Sequence, residues 1–211
     1  PSSCAACAAQ PGGAIDAIDT PAIVVDLDAM ERNLASMAAF AKQHGMRLRP
    51  HAKTHKCAAI AQQQVALGAV GVCVQKVSEA QALADAGVQD LYVSNQVIDP
   101  AKLARLVDLV GRGARIAISI AVDSVIGLDR LAAALDGARG PADAALVDVF
   151  VEIDVGQGRC GVRPGAAGDL ARRVMSLGDA SGLRFAGLQA YHGRAQHLRQ
   201  RAPAQVLHRD V

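Results

Sequence analysis

Short apolar runs and longer amphipathic stretches alternate along almost the whole chain, and no other feature restricts the fold as strongly. Residues 22–26 read as a strand. Asp28 with Glu31 three residues on reads as the capping box of a helix that carries Met30, Leu34 and Met37 on one face and closes at His44-Gly45. Residues 46–49 predict the next strand, followed by a helix through Ile60, Val65 and Leu67 that Gly68 stops. Further strands are predicted over residues 69–74, 90–94, 115–122, 147–153 and 185–190. Between them, Ser78 and Gln81 cap a helix closed by Gly87. Asp99-Pro100 opens one ending near Gly111, Asp123 caps one reaching Leu135, and another covers about 166–177. Residues 194–211 are polar and helix-compatible.

Continuous apolar strands alternating with helices predict a parallel sheet covered by helices, either an open doubly wound sheet or a barrel. An open nucleotide-binding sheet should carry a glycine fingerprint in its first βα turn. Asp26-Leu27-Asp28 has no glycine, the turn after Arg49 has none, and no P-loop pattern occurs. Polar residues gather instead at the C-terminal ends of the strands: His51 and Lys53, Gln75, Asn95, Asp123, residues 154–159, and Tyr191-His192. In a βα barrel that end is the catalytic face. The expected fold class is α/β, a partial (β/α)8 TIM-type barrel. Leaving out the first run, six strands are predicted where closure takes eight. The chain is therefore expected to be the N-terminal portion of a larger enzyme, with the later strands missing. Residues 1–19, rich in Ala and Gly, are expected to be a disordered tail, and residues 20–211 the incomplete barrel domain.

Composition narrows the function classes. Aromatic residues make up 2% of the 211, which argues against stacking platforms for single-stranded nucleic acid. The net charge is +2 and its basic residues are dispersed, so no nucleic-acid footprint is expected. No apolar run is long enough to span a bilayer, so no membrane partner is expected either. Five cysteines, an odd number without a signal-peptide n-region, suggest reduced thiols and a cytoplasmic location. Cys4-Ala-Ala-Cys7 has the spacing of half a zinc site with no matching second pair.

The residues that carry chemistry begin with Arg49-Pro50-His51-Ala52-Lys53-Thr54-His55-Lys56, at the mouth of a βα unit. A lysine amine becomes nucleophilic when desolvation or nearby positive charge lowers its pKa, and Arg49, Lys56 and the histidines could supply that charge. The octapeptide alone leaves open a solvated basic turn. His51 and His55 are four residues apart and would share a face if the turn were helical. Residues 151–161 form a strand followed by a loop with Gly156, Gly158 and Gly161, which lets backbone approach a ligand closely. Arg159 inside it suits an anionic oxygen, and Glu152 and Asp154 add charge where a buried sheet seldom carries filler. Tyr191-His192 closes the last strand, where a ring could stack on a planar ligand or relay a proton. A structural Tyr-His pair is the alternative. Ser78 and Glu79 read as helix-start residues, whereas Gln75 before them could face the site.

Taken together, these segments and Asp19-Thr20-Pro21 resemble the fold-type III pyridoxal-phosphate enzymes of the alanine racemase N-terminal barrel class. Within it they are most similar to the D-threonine aldolases, D-serine dehydratases and 3-hydroxy-D-aspartate aldolases. The resemblance implies that Lys53 forms the Schiff base with pyridoxal 5'-phosphate and that Arg159 contacts its phenolic oxygen. It implies that His51, Gln75, Tyr191 and His192 lie around the cofactor, with Tyr191 and His192 also among the catalytic residues. The implied reaction is retro-aldol cleavage of a D-3-hydroxy amino acid, with D-threonine giving glycine and acetaldehyde. Dehydration, racemisation and non-catalytic pyridoxal-phosphate binding are the alternatives. It also implies a divalent metal (Mn, Mg or Zn) and a homodimer in the full-length enzyme only, with no metal ligands in this chain. The chain by itself is expected to show little aldolase activity and to aggregate.

Overall fold

In the computed structural model the described residues are 12–112, 116–136 and 147–197. The expected tail lies outside them up to residue 11, and so do residues 198–211. Among the described residues a single sheet of five parallel strands runs in the order β1-β2-β3-β4-β5. The strands are β1 (Val72–Val74), β2 (Asp90–Val93), β3 (Ala117–Val122), β4 (Val147–Ile153) and β5 (Leu183–Ala190). Each spatial neighbour is also the next in sequence. A doubly wound sheet reverses its order once; this one never does, so it is the wall of a barrel.

Among the described residues six α-helices accompany the strands: α1 (Leu27–Gln43), α2 (Ala58–Ala66), α3 (Val77–Asp85), α4 (Pro100–Val110), α5 (Val125–Asp136) and α6 (Ala167–Leu177). Helices α3 to α6 pack side by side in chain order against the convex face of the sheet. Between the layers Leu91, Leu106, Leu109, Ile120, Leu128, Leu131, Val147 and Val149 are almost fully buried. Burying one such side chain stabilises the fold by about 1.5–3 kcal/mol, which makes this layer the main source of cohesion. None of the described helices is long and apolar enough to cross a membrane.

Several local expectations are corrected. Residues 22–26 form no strand; Ile23 is 96% exposed and no strand among the described residues pairs with the segment. β-propensity without a ladder partner does not make a strand. Helix α1 is capped by Asp26, whose Oδ1 accepts from Ala29 N–H at 2.9 Å, rather than by Asp28. Residues 46–51 run beside β1 but form only an isolated bridge, His51 to Cys73. Pro50 lies there with no N–H to give, and its carbonyl accepts from Cys73 N–H at 2.7 Å. Helix α5 is capped by Ser124, whose Oγ accepts from Gly127 N–H, because Asp123 is used elsewhere. Asp99 caps α4 as expected, accepting from Lys102 N–H at 3.0 Å.

Candidate functional site

Strand alternation sorts side chains onto two faces. Leu91 and Val93, and Val147, Val149 and Val151, are buried in the layer under the helices. Asp90, Tyr92 and Ser94, and Asp148 and Phe150, line a cavity of about 740 Å³ on the concave side. The cavity has three levels. On its floor Arg49 makes a two-pronged pair with Asp90 (2.6 and 3.2 Å), and Arg184 does the same with Asp148 (2.6 and 3.0 Å). At mid-height the Tyr92 and Phe150 rings lie 4.9 Å apart. At the rim, toward the C-terminal ends of the strands, stand His51, Lys53, Gln75, Ser94, Arg159, Gln189 and Tyr191.

A backbone irregularity determines one of the rim residues. Val149 pairs with Phe185, but Phe150 pairs with Gly187, so Ala186 is an extra residue in β5. Arg184 and Gln189 are five apart and would face opposite sides of a regular strand. The bulge turns Gln189 back to the concave side, where its Oε1 accepts from the Tyr92 hydroxyl. Burial pushes the Tyr92 phenol well above its usual range, so it stays protonated and donates.

Lys53 sits on a turn over residues 51–56, and its Nζ approaches Gln75 Oε1 at 3.5 Å. His51 Nδ1 accepts from Lys53 N–H at 3.3 Å, and its Nε2 lies 3.3 Å from Ser94 Oγ. An accepting Nδ1 leaves the proton on Nε2, which then donates to Ser94, whose hydroxyl can pass on to the Val74 carbonyl. The expected sharing of a face by His51 and His55 is not found. The His55 ring accepts from Cys57 N–H, in the opposite direction along the chain. The positive neighbours proposed for Lys53 are also spoken for: Arg49 pairs with Asp90 and Lys56 with Glu79.

Both imidazoles are held below their ordinary value of 6.5, in each case chiefly by burial, with Lys53 adding to the effect on His51. The unfolded chain therefore binds these protons more readily than the folded one. Their contribution to stability is whole above pH 6.5 and declines as the pH falls through that value toward the lower folded pKa values. Denaturant unfolding at about pH 7.5 and about pH 5.5 should show the lower midpoint at the acidic pH; equal midpoints would contradict the burial described.

The glycine loop after β4 has a different internal logic from the one expected. Asp154 faces its own loop: Oδ1 accepts from Gly156 and Gly158 N–H, both at 3.0 Å, and these bonds hold its carboxyl below the usual range. Asp123 accepts from Gly161 N–H at 3.1 Å. The two aspartates thus shape the loop, and Arg159 is what it presents. The Arg159 guanidinium lies 4.3 Å from the centre of the Tyr191 ring and 3.8 Å from the Glu152 carboxylate. Glu152 is 3% exposed and also accepts from Gln96 Nε2. His192 is not among the cavity-lining residues; its Nδ1 accepts from Ala195 N–H in the turn that follows. Among the described residues no three His, Cys, Asp or Glu side chains are grouped to hold a metal ion.

Of the residues singled out by sequence, the cavity gathers Lys53, His51, Gln75, Arg159 and Tyr191. Sequence reading missed Tyr92 at mid-height, Ser94 and Gln189 at the rim, and the two Arg–Asp pairs on the floor. Alternation in Asp90-Leu91-Tyr92-Val93-Ser94 was the available signal.

The model for the alanine racemase N-terminal domain matches residues 25–209. A D-threonine aldolase of Arthrobacter sp is 49% identical over 194 residues, which cover 92% of this chain and 48% of that protein. A 3-hydroxy-D-aspartate aldolase of Paracoccus denitrificans is 42% identical, covering 90% of this chain and 47% of its own length. The crystal structure of D-threonine aldolase from Filomicrobium marinum superposes with a TM-score of 0.78 at 49% identity, covering 86% of this chain and 46% of the other. The chain thus spans about half the length of the relatives it matches.

Proposed function

We propose, for a chain that belongs to the alanine racemase N-terminal domain family, that its concave cavity binds pyridoxal 5'-phosphate at Lys53 and serves a lyase that cleaves D-3-hydroxy amino acids. The observation that carries the reading is the convergence on one rim of an amine, an amide partner for it, and a guanidinium braced on an aromatic ring. These residues fit the ring and aldehyde end of the cofactor. Bound there, the cofactor would supply a carbonyl for amine condensation and an electron sink for the pair released as Cα–Cβ breaks.

The chain's own residues divide the remaining work. Gln75 accepts from the Lys53 amine and aims it into the cavity. His51, neutral by burial, supports the Lys53 backbone rather than adding charge. Arg159 holds a phenolate-type oxygen, and the buried Glu152 beside it keeps the guanidinium oriented. Tyr191 lines the cavity, so a proton leaving a β-hydroxyl is assigned first to Tyr191; His192, whose Nδ1 accepts from Ala195 N–H outside the cavity, would take it on only after that bond opens. The described cysteines, Cys57, Cys73 and Cys160, are free thiols, which supports a reducing, cytoplasmic setting. The ligand is a small D-amino acid. A divalent metal and a dimer belong to the reading of the longer protein, and the 211-residue chain alone is proposed to be weakly active.

The test is product analysis with the gene product that carries this sequence. D-threonine should give glycine and acetaldehyde, and Arg159→Met should lower kcat/KM by about a hundredfold. A keto acid with ammonia, or racemised substrate, would overturn the aldol assignment.

A further inference from the structure

Lys56 is the one described non-glycine residue with a positive φ, +49°. A non-glycine side chain in that region is strained, and glycine would avoid the strain. The turn nevertheless places a lysine there, closed by Lys56 N–H donating to the Ala52 carbonyl at 2.7 Å. Its ammonium reaches Glu79 Oε1 at 3.1 Å. Glu79 is 14% exposed, and its other oxygen accepts from Gln75 N–H (2.9 Å) and Lys76 N–H (3.2 Å). The base of the turn carrying Lys53 is already bridged to β1 through His51 and Ala52 against Cys73; the Glu79 carboxylate adds a second tie, from the far end of that turn to the strand end carrying Gln75. Lys53 and Gln75 are also the two residues whose side chains meet at the rim.

We infer that the Lys56–Glu79 pair is a positioning clamp that holds the Lys53 amine in register with Gln75. The inference rests on the reading of Lys53 as the cofactor lysine. It explains why a strained lysine and a nearly buried glutamate occur beside a site that neither enters. An exposed surface pair would be worth little, but here the carboxylate partner is largely desolvated and already held by two amides.

The discriminating variants are Lys56→Gly, which relieves the backbone and removes the tether, and Lys56→Arg, which keeps the charge. Glu79→Gln removes the carboxylate but also weakens the start of α3, so Lys56→Gly is the primary probe. Each purified protein is mixed with excess pyridoxal 5'-phosphate, quenched with borohydride at timed intervals, and mapped for pyridoxyl-Lys53. Amide hydrogen exchange of the 51–57 turn and the unfolding midpoint are followed in parallel. Lys56→Gly should capture the cofactor about tenfold more slowly and exchange faster in the turn, with no loss of unfolding midpoint. Lys56→Arg should retain the wild-type capture rate. Unchanged capture in Lys56→Gly would overturn the clamp while leaving the cofactor site standing. Absence of pyridoxyl-Lys53 in the wild-type protein would overturn the cofactor reading, and the clamp with it.

Discussion

Lys53→Met should remove cofactor-dependent D-threonine cleavage from the gene product that carries this sequence, by more than about a thousandfold. The side chain is replaced by one of similar length without an amine, so the packing of the exposed turn is preserved. The unfolding midpoint should stay within a few degrees of wild type, because Lys53 is exposed and its only described side-chain partner is Gln75 at 3.5 Å. The other lysine of the turn, Lys56, is paired with Glu79 and cannot substitute without breaking that pair. Retention of a tenth or more of the rate by Lys53→Met would move the chemistry to another residue. Circular dichroism and a melting curve accompany the assay, so that loss of fold is not mistaken for loss of the amine.

The second large effect is structural and reaches the site through the loop after β4. Gly161→Ala should destabilise the protein by about 3 kcal/mol. Gly161 has φ of +103°, and a Cβ there would sit 2.5 Å from Asp154 N and 2.6 Å from the Ile153 carbonyl carbon. Both are backbone atoms at the end of a central strand, so they cannot swing aside as a flexible side chain could. Relief would require the loop to move, breaking the bond from Gly161 N–H to Asp123 and shifting Arg159 away from Tyr191. Gly158→Ala is the internal control. Its φ is also positive at +65°, but a Cβ there meets nothing within 4 Å. Its cost should therefore be limited to the backbone strain, about 1 kcal/mol. Equal melting temperatures for the two variants would contradict the close approach at Gly161.

The fold was legible because the dominant signal is repetitive. Alternating units with glycine or Asp-Pro punctuation placed β4 at its observed bounds and α4 behind its Asp99 cap. What failed was local. Residues 22–26 have strand composition, yet a strand is a property of a pair, and composition does not supply the partner that the segment lacks among the described residues. Residues 46–51 do have a neighbour, but Pro50 and the conformation at Gly71 break the ladder. Gly71 has φ of +149°, and a Cβ there would strike the Arg49 side chain and the Asp90 backbone. The glycine is what lets the Arg49–Asp90 pair pass so close to the backbone.

The site was half legible for a related reason. Residues at strand ends announce themselves by chemistry, which is how Lys53, Gln75, Arg159 and Tyr191 were singled out. Residues inside the strands are masked by apolar neighbours, so Tyr92 and Ser94 needed the period-two alternation to be read within a run taken as uniformly apolar, whereas the charge of Glu152 set it apart. Gln189 could not have been placed by alternation at all, since the Ala186 bulge inverts its face. Asp154 shows the opposite error: a charged residue at a strand end looked functional, but its carboxylate is used to fold its own loop.

Reductive trapping shows which amine of the protein takes pyridoxal 5'-phosphate. The purified protein is incubated with pyridoxal 5'-phosphate, reduced with borohydride, digested and mapped by mass spectrometry. A single dominant pyridoxyl-lysine should form at position 53 and be absent from Lys53→Met. Modification spread over surface lysines in proportion to their exposure, with no preference for Lys53, would contradict it.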